Sequence, residues 1–323
     1  MKIALLVLVV LFSITMLLPL IRHDYWVFRV FEFPRFQKWC LNLLLLLWTA
    51  MHHLAEPDPL LPWIGFWLMF TMAYLSYQIF PFIPLAPRMI RSNRDPNAPN
   101  FRVVVSNVYQ YNRKSKRLIR ECGRFEVDVL VFVETDQWWC DELKAAFDEQ
   151  YPHQILHPLE NTYGMLMFSR WPLADGEVRF LVKEEIPSIR VTVEHEVHPV
   201  RFFAIHPEPP VPSENPKSTA RDQEIMKVAE EASREEMPTV VAGDLNDVAW
   251  SYTTQEFLET SGLKDPRRGR GMYSTFHAKY PLVARWPLDH LFCSEHFSLN
   301  RIRCLRRVGS DHLPIYVDLA MKN

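Results

Sequence analysis

The octapeptide VVAGDLND at positions 240–247 ends an apolar run on two carboxylates and a carboxamide, Asp244, Asn246 and Asp247. Gly, Asp and Asn are ordinary turn formers, so this stretch alone does not separate a turn from a reactive strand end. The same grouping recurs along the chain. RVVVS (102–106) is followed by Asn107, VDVLVFV (127–133) by Glu134 and VRFFAI (200–205) by His206. Asp289 lies inside LDHLF (288–292), and Asp311 and His312 immediately precede LPIYVDL (313–319). If these strands end at one edge of a two-sheet core, their acceptors and imidazoles converge on one cleft.

Each residue type has a chemical reason to be there. A hard divalent cation such as Mg²⁺ or Mn²⁺ takes oxygen ligands and keeps several waters, so carboxylates with a carboxamide suit it better than a Cys/His cluster. Glu134 and Asp311 are the candidate direct ligands, with Asn107 beside them. Attack on a phosphate ester needs an activated water and groups that stabilise charge on the phosphoryl oxygens. A histidine whose second ring nitrogen is held by a carboxylate can act as a base, and His312 with Asp289 would make such a pair. Asn246, and His206 if protonated, would hold the phosphoryl oxygens. Asp247 reads as a turn or helix-cap residue.

The elements that must position these groups are short. Apolar runs of strand length include YGMLMFS (163–169), IRVTVEH (189–195) and TVVAG (239–243) besides those above. Leu118, Ile119, Cys122 and Phe125 recur at helical spacing in KSKRLIRECGRFE (114–126), and Ile225, Val228, Ala229 and Ala232 in ARDQEIMKVAEEASREEM (220–237). Strands in adjacent pairs with few helices between them indicate an α/β or α+β sandwich of two sheets. The proline cluster HPEPPVPSENP (206–216) reads as a rigid loop, and PRRGRGMYSTF (266–276), with three arginines and two glycines, as a solvated basic loop or a substrate loop.

Taken in order, the pieces SNVYQYN, VDVLVFVETD, IPSIRVTV, FFAIHPEPP, VAGDLND, PLDHLF and GSDHLPI resemble the endonuclease/exonuclease/phosphatase superfamily with its DNase I-like fold, over residues 100 to 320. GDLND has Leu and Asp where many members read GDFNA, which leaves Asp244 and Asn246 in register. The resemblance implies an α/β fold, a four-layer α/β sandwich with two mixed β-sheets, and metal-dependent hydrolysis of a phosphoester. It implies Glu134 as metal ligand with Asn107 as its neighbour and Asp311 as a second metal-side carboxylate. Asp244 would orient or deprotonate the attacking water with Asn246 beside the phosphate, the His312–Asp289 pair is the other candidate for acid–base work, and His206 and Arg190 would be phosphate contacts. The base stays open between Asp244 and His312.

Ahead of this region the chain is of another character. Residues 3–21 carry no charge and are long enough to cross a bilayer core of about 30 Å as a helix. Further apolar runs cover 39–55 and 59–87. Three transmembrane helices are the expectation; a cleaved signal peptide is disfavoured because no small-x-small site follows Leu20. The expected organisation is a membrane anchor over 1–87, a polar linker over 88–100 and a catalytic domain over 101–323. With three spans, Arg22, Arg29, Arg35, Lys38, Arg88, Arg91 and Arg94 lie on one side and only Lys2 on the other, which predicts a cytoplasmic catalytic domain in a multi-pass protein of the cell membrane.

Past residue 100 the chain has 28 Lys/Arg against 33 Asp/Glu, a balance that argues against non-specific duplex binding through a basic face. The five cysteines show no CxxC or zinc-like spacing. The expected partners are the bilayer, through the N-terminal helices, and a phosphate-ester substrate; no protein partner can be inferred. A lipid-linked phosphate or pyrophosphate is the favoured substrate, a membrane-tethered nuclease acting on DNA or RNA is the alternative, and a catalytically inactive membrane scaffold is a third reading.

Overall fold

A computed structural model describes residues 2–322. One mixed sheet has strand order β10-β11-β1-β2-β4-β3, built from β1 (Asn100–Asn107), β2 (Val129–Val133), β3 (His153–His157), β4 (Met165–Ser169), β10 (Phe297–Cys304) and β11 (Ile315–Met321). The second has order β5-β6-β7-β8-β9, from β5 (Leu173–Arg179), β6 (Ser188–Val193), β7 (Val200–Ile205), β8 (Thr239–Asp244) and β9 (Asp289–Cys293). The sheets stack face to face. Val103, Val105, Val129 and Val131 of one interdigitate with Ile189, Val191, Phe202 and Val240 of the other.

Helices α5 (Ser115–Cys122) and α6 (Gln137–Phe147) cover the outer face of the first sheet, where Val104, Leu130 and Phe132 point. Helices α7 (Thr219–Ala232) and α8 (Tyr252–Ser261) cover the second, against Phe203, Ile205 and Val241. The result is the expected four-layer α/β sandwich. Central strands are buried on both faces, which is why VVV and VLVFV run without polar interruption.

Two parallel pairs, β1 with β2 and β7 with β8, aim their C-terminal ends the same way. Asn107 pairs in register with Val133, Ile205 with Gly243, and Asp244 with Asp289 of antiparallel β9. Gly243 has φ +155°, and a Cβ there would sit 1.8 Å from the Ile205 carbonyl oxygen, so only glycine lets β8 approach β7 at this point.

The N-terminal region contains α1 (Lys2–Leu17), α2 (Trp26–Val30), α3 (Arg35–Ala55) and α4 (Leu61–Ile79). α1, α3 and α4 pack around Leu5, Phe12, Leu45, Ile64 and Leu68. Here the expectation of three spans is corrected: among the described residues one helical stretch, Lys2–Leu20, is long and apolar enough to cross a membrane. α3 opens on Arg35, Gln37 and Lys38 and carries Asn42 and two histidines. Polar atoms in these helices pair with one another, as where Asn42 Nδ2 donates to the Leu68 carbonyl and to Thr71 Oγ1. The multi-pass description therefore loses its support, and with it the seven-against-one charge count. The outward faces remain apolar, with Leu54 84% and Trp63 72% exposed.

The polar stretch 88–100 is not a free linker. Ser92 bridges in parallel to Leu299 of β10, and Ile90 enters the inter-sheet core. The segment around α2 is likewise built into the sandwich. The Trp26 N–H donates to the Pro216 carbonyl at 2.7 Å, Trp250 Nε1 to the Glu32 carbonyl at 2.9 Å, and the Gly269 N–H to the Pro81 carbonyl at 2.8 Å. Buried Arg29 donates to Asp222 Oδ2 at 3.1 Å and to Thr253 Oγ1 at 2.6 Å. Phe82, Val248, Ala249, Trp250 and Leu288 form one apolar cluster across this junction. Replacing Arg29 with Ala removes two buried bonds, while Arg221 and Ser218 still hold Asp222. The expected loss is about 1–3 kcal/mol of unfolding free energy, read from denaturant curves of the full chain.

Candidate active site

The parallel strand ends bring together most of the residues singled out from the sequence. Asn107, last in β1, donates from Nδ2 to Glu134 Oε1 at 2.6 Å and to Asp244 Oδ2 at 3.0 Å, so one carboxamide spans both sheets. Its own Oδ1 accepts the Tyr109 N–H at 2.9 Å. Glu134 directly follows β2 with φ +60°, and its Oε2 faces the Gln110 N–H at 3.4 Å. A non-glycine residue held at positive φ in a cleft is a strained conformation that the surrounding fold must enforce. Asn246 is a second case, at φ +50°. Its N–H donates to Asp244 Oδ1 at 3.0 Å, and its Nδ2 donates to the Pro207 carbonyl at 3.0 Å and faces His206 Nε2 at 3.3 Å.

His312 sits between two aspartates. Its Nδ1 is 2.8 Å from Asp289 Oδ2 and its Nε2 is 3.5 Å from Asp244 Oδ2. Burial works against charge on this imidazole, but the carboxylates of Asp289 and Asp244 outweigh it and raise its pKa to about 10. His206 is the reverse case. Its Nε2 lies 3.9 Å from Asp244 Oδ2, yet burial dominates and pushes it down to about 4. The condition attached to His206 as a charged phosphate contact, that it be protonated, is therefore disfavoured by burial, and its buried Nδ1 has no partner among the described residues.

Asp244, Asp289 and His312 could geometrically enclose an ion, with ligand atoms within 4.8 Å of one another. The same three groups form a hydrogen-bonded chain, with His312 Nδ1 on Asp289 and its Nε2 towards Asp244. The oxygen groups at Glu134 and Asn107 suit a hard cation better. Burial pushes the Glu134 carboxyl up to about 7, with Asp244 and Asp311 adding repulsion. A buried carboxylate with carboxylate neighbours is the donor set that a divalent cation relieves. Asp311 is half-buried beside it, its Oδ1 3.3 Å from Ser310 Oγ.

Two expectations are not met. Arg190 does not reach the cluster. Its neighbours Ile189 and Val191 fill the inter-sheet core, so strand alternation turns Arg190 to the outer face. There it pairs with Glu235 at 3.1 Å, which Arg201 also contacts at 3.1 Å, beyond the C-terminal end of α7. The arginines of 266–271 are turned inward as well. Arg267 is buried on Asp265 and His290, Arg268 donates to Gln255, and Arg270 donates to the Ile90 carbonyl. These contacts turn the three guanidinium groups away from the catalytic cluster.

Sequence reasoning also missed the groups that hold the cluster. Arg221, fully buried on α7, donates to the Asn246 carbonyl at 2.9 Å and to Asp222 at 2.7 Å, and lies 3.4 Å from Asp247. Asp247 accepts from Ser251 Oγ at 2.6 Å and from the Val248 N–H at 2.9 Å, and Ser251 caps α8. Asp247 therefore stays within the turn read from the sequence, but the cap of α8 is Ser251, and Asp247 instead is a buried partner of Ser251 and Arg221. Ser310 Oγ donates to the Asn107 carbonyl at 2.8 Å and accepts the His312 N–H at 2.9 Å, tying the loop before β11 to β1. The only signal for Ser310 was its place in GSDH; nothing around Arg221 marked it.

Residues 104–312 match the sequence model of the Endonuclease/Exonuclease/phosphatase family. No match was found among curated proteins. Among solved structures, an endonuclease/exonuclease/phosphatase family protein from Bacteroides thetaiotaomicron aligns at TM-score 0.57 with 15% identity, over 70% of this chain and 96% of its own. Sphingomyelinase C from Streptomyces griseocarneus aligns at 0.50 with 17% identity, over 68% and 99%. A Staphylococcus aureus beta toxin with bound magnesium ions aligns at 0.52 with 16% identity, over 69% and 100%. At these identities the likenesses speak for the fold alone.

The two histidines give a direct check. In metal-free protein, ¹⁵N shifts are expected to show His312 as imidazolium up to about pH 10 and His206 as neutral down to about pH 4. Asp289→Asn removes one of the two carboxylates that hold the proton, and the His312 midpoint is expected to fall towards its ordinary value.

Proposed function

The chain belongs to the Endonuclease/Exonuclease/phosphatase family, and from that premise we propose that it is a membrane-anchored, divalent-metal-dependent phosphoesterase that acts on a lipid-linked phosphate or pyrophosphate. Glu134, Asn107 and Asp311 would hold Mg²⁺ or Mn²⁺. Bound there, the cation would polarise the phosphoryl group and offset its negative charge.

The chain's own groups would do the rest. Asp289 fixes His312 through Nδ1 and leaves Nε2 facing the cleft. As an imidazolium, His312 cannot take a proton, so it donates to a phosphoryl oxygen and stabilises the charge that grows there. Asp244, held by Asn107 and by the Asn246 N–H, is then the group that orients the water and accepts its proton. The Asn246 carboxamide and neutral His206 stand beside the phosphate. On this reading Asp244, the first of the two candidates left by the sequence, would be the base.

The observation that carries the lipid reading is the loop 276–286. At its root the Phe276 ring lies 4.8 Å from the His312 ring, and the Ala278 N–H donates to the Asp311 carbonyl. At its tip Gln37 of α3 donates to the Val283 carbonyl at 2.7 Å. Between these points Tyr280, Leu282 and Val283 are 51%, 67% and 59% exposed. One short loop therefore joins the cleft to α3, which packs against the candidate span α1, and presents apolar side chains there, an arrangement suited to a bilayer surface. The inward-turned arginines of 266–271 weigh against the nuclease reading.

Purified full-length protein with Mg²⁺ is expected to release phosphate or a headgroup from a lipid-linked phosphate, with activity lost on chelation and kcat down about 10²–10⁴-fold in Asp244→Asn. Turnover of DNA or RNA without turnover of lipid would replace this reading with the nuclease. Background activity unchanged in Asp244→Asn would point to the inactive scaffold.

We place the catalytic region in the cytoplasm, because Arg22 and Arg29 flank the domain side of the Lys2–Leu20 helix against Lys2 alone on the other. C-terminal reporter fusions are expected to be active only in their cytoplasmic form. Activity of an exported reporter would reverse the orientation.

A further inference from the structure

A second cavity, of about 550 Å³, lies where the anchor helices meet the sandwich. Its walls come from the turn after α1 (Leu20), the start of α3 (Arg35), the end of α4 (Tyr77) and the turn that enters α8 (Trp250). None of Asn107, Glu134, Asp244 or His312 lines it, so it is not the catalytic cleft. Four guanidinium groups, Arg22, Arg29, Arg35 and Arg268, face two carboxylates, Glu32 and Glu259. Burial pushes the Glu32 carboxyl up, which lowers its negative charge near neutral pH.

The polar groups of this cavity are under-used. Arg29 is already shared between Asp222 and Thr253, and its Nε has no partner among the described residues; the same holds for Arg268 Nε and Glu32 Oε2. Arg35 has neither a side-chain hydrogen bond nor an ion pair among the described residues, and feels Glu32 and Asp247 only through space. It stands at the first position of a 21-residue helix, where the helix dipole disfavours a cation. A half-buried, unpaired guanidinium in that place leaves positive charge that an anionic ligand would offset. Around it the wall is apolar and aromatic, from Leu20, Tyr77, Phe82 and Trp250.

We propose that this cavity is a binding site for the phosphate of an anionic glycerophospholipid, with Arg35 as its main contact, Arg22 and Arg268 at its sides, and the lipid chains running out along α1 and α4. The assignment to a lipid rests on the reading of the N-terminal helices as an anchor; the anion site itself does not. The occupant would be a resident lipid, not a substrate, since none of the candidate metal-holding or acid–base residues lines the cavity. Occupancy would bear on the catalytic loop, because Arg29 leads through Asp222 and Arg221 to the Asn246 carbonyl.

The test is calorimetric titration of soluble, short-chain dihexanoyl phosphatidic acid into full-length Asp244→Asn protein with chelator present. Neither catalysis nor a bilayer is needed, so a failure of the proposed activity or of membrane insertion would not decide it. Saturable binding is expected, weakened about tenfold by a further Arg35→Gln, in line with loss of one charge-assisted hydrogen bond. Should Arg35→Gln lose its cooperative melting transition, Arg22→Gln at the exposed rim is the substitute, with a several-fold weakening expected. Binding unchanged by the substitution, or no binding, would overturn the proposal. Inorganic phosphate that binds as tightly and with the same arginine dependence would overturn the lipid assignment and make this a site for free phosphate.

Discussion

The hydrogen bond from Asn107 to Asp244 crosses from one sheet to the other, and it exists only because the two sheets stack with their parallel pairs pointing the same way. Burial of Val103, Val105, Phe202 and Val240 between the sheets sets the separation. Gly243 then lets β8 come close enough to β7 for Asp244 to face the cleft. Every other polar contact of the site hangs on that packing. The site is thus a property of the apolar core as much as of its polar residues.

The cleft concentrates negative charge. Glu134, Asp244, Asp289 and Asp311 surround a single cation of the chain, His312. Two aspartates hold its proton, and burial on the other side keeps His206 neutral, so two imidazoles in one cleft take opposite charge states. That difference separates the two rings: His312 is held between Asp289 and Asp244, while His206 faces the Asn246 carboxamide. It also leaves the Glu134 side short of positive charge, the role for which a divalent cation is suited.

The N-terminal region is structurally continuous with this cleft. Arg29, Glu32 and Phe82 contribute to the packing around the β8–α8 loop, the loop that carries Asn246 and Asp247, and the Pro81 carbonyl holds Gly269 of the neighbouring loop. A phosphoesterase domain on a free tether would need none of these contacts. Here they fix the cleft relative to the helices, and the loop 276–286 brings apolar side chains to the same side.

The sequence alone determined the interior strands and the residues at their ends. Central strands are buried on both faces and must be apolar throughout, so RVVVS, VDVLVFV and VRFFAI were readable, and the polar residue that follows each was conspicuous by contrast. Edge strands β3, β5 and β10 were missed because an edge has one wet side and can carry His153, Asp175 or Asn300. Helix α8 escaped because its buried face mixes Phe257 and Leu258 with Thr253, Thr254 and Ser261. What only tertiary structure decided was direction and pairing. Arg190 looked like a phosphate ligand until strand alternation turned it outward, and the arginines of 266–271 looked free until Asp265, Gln255 and the Ile90 carbonyl took them up. The charges of His206 and His312 depend on which carboxylates burial places beside each ring, and spacing along a chain does not carry that information.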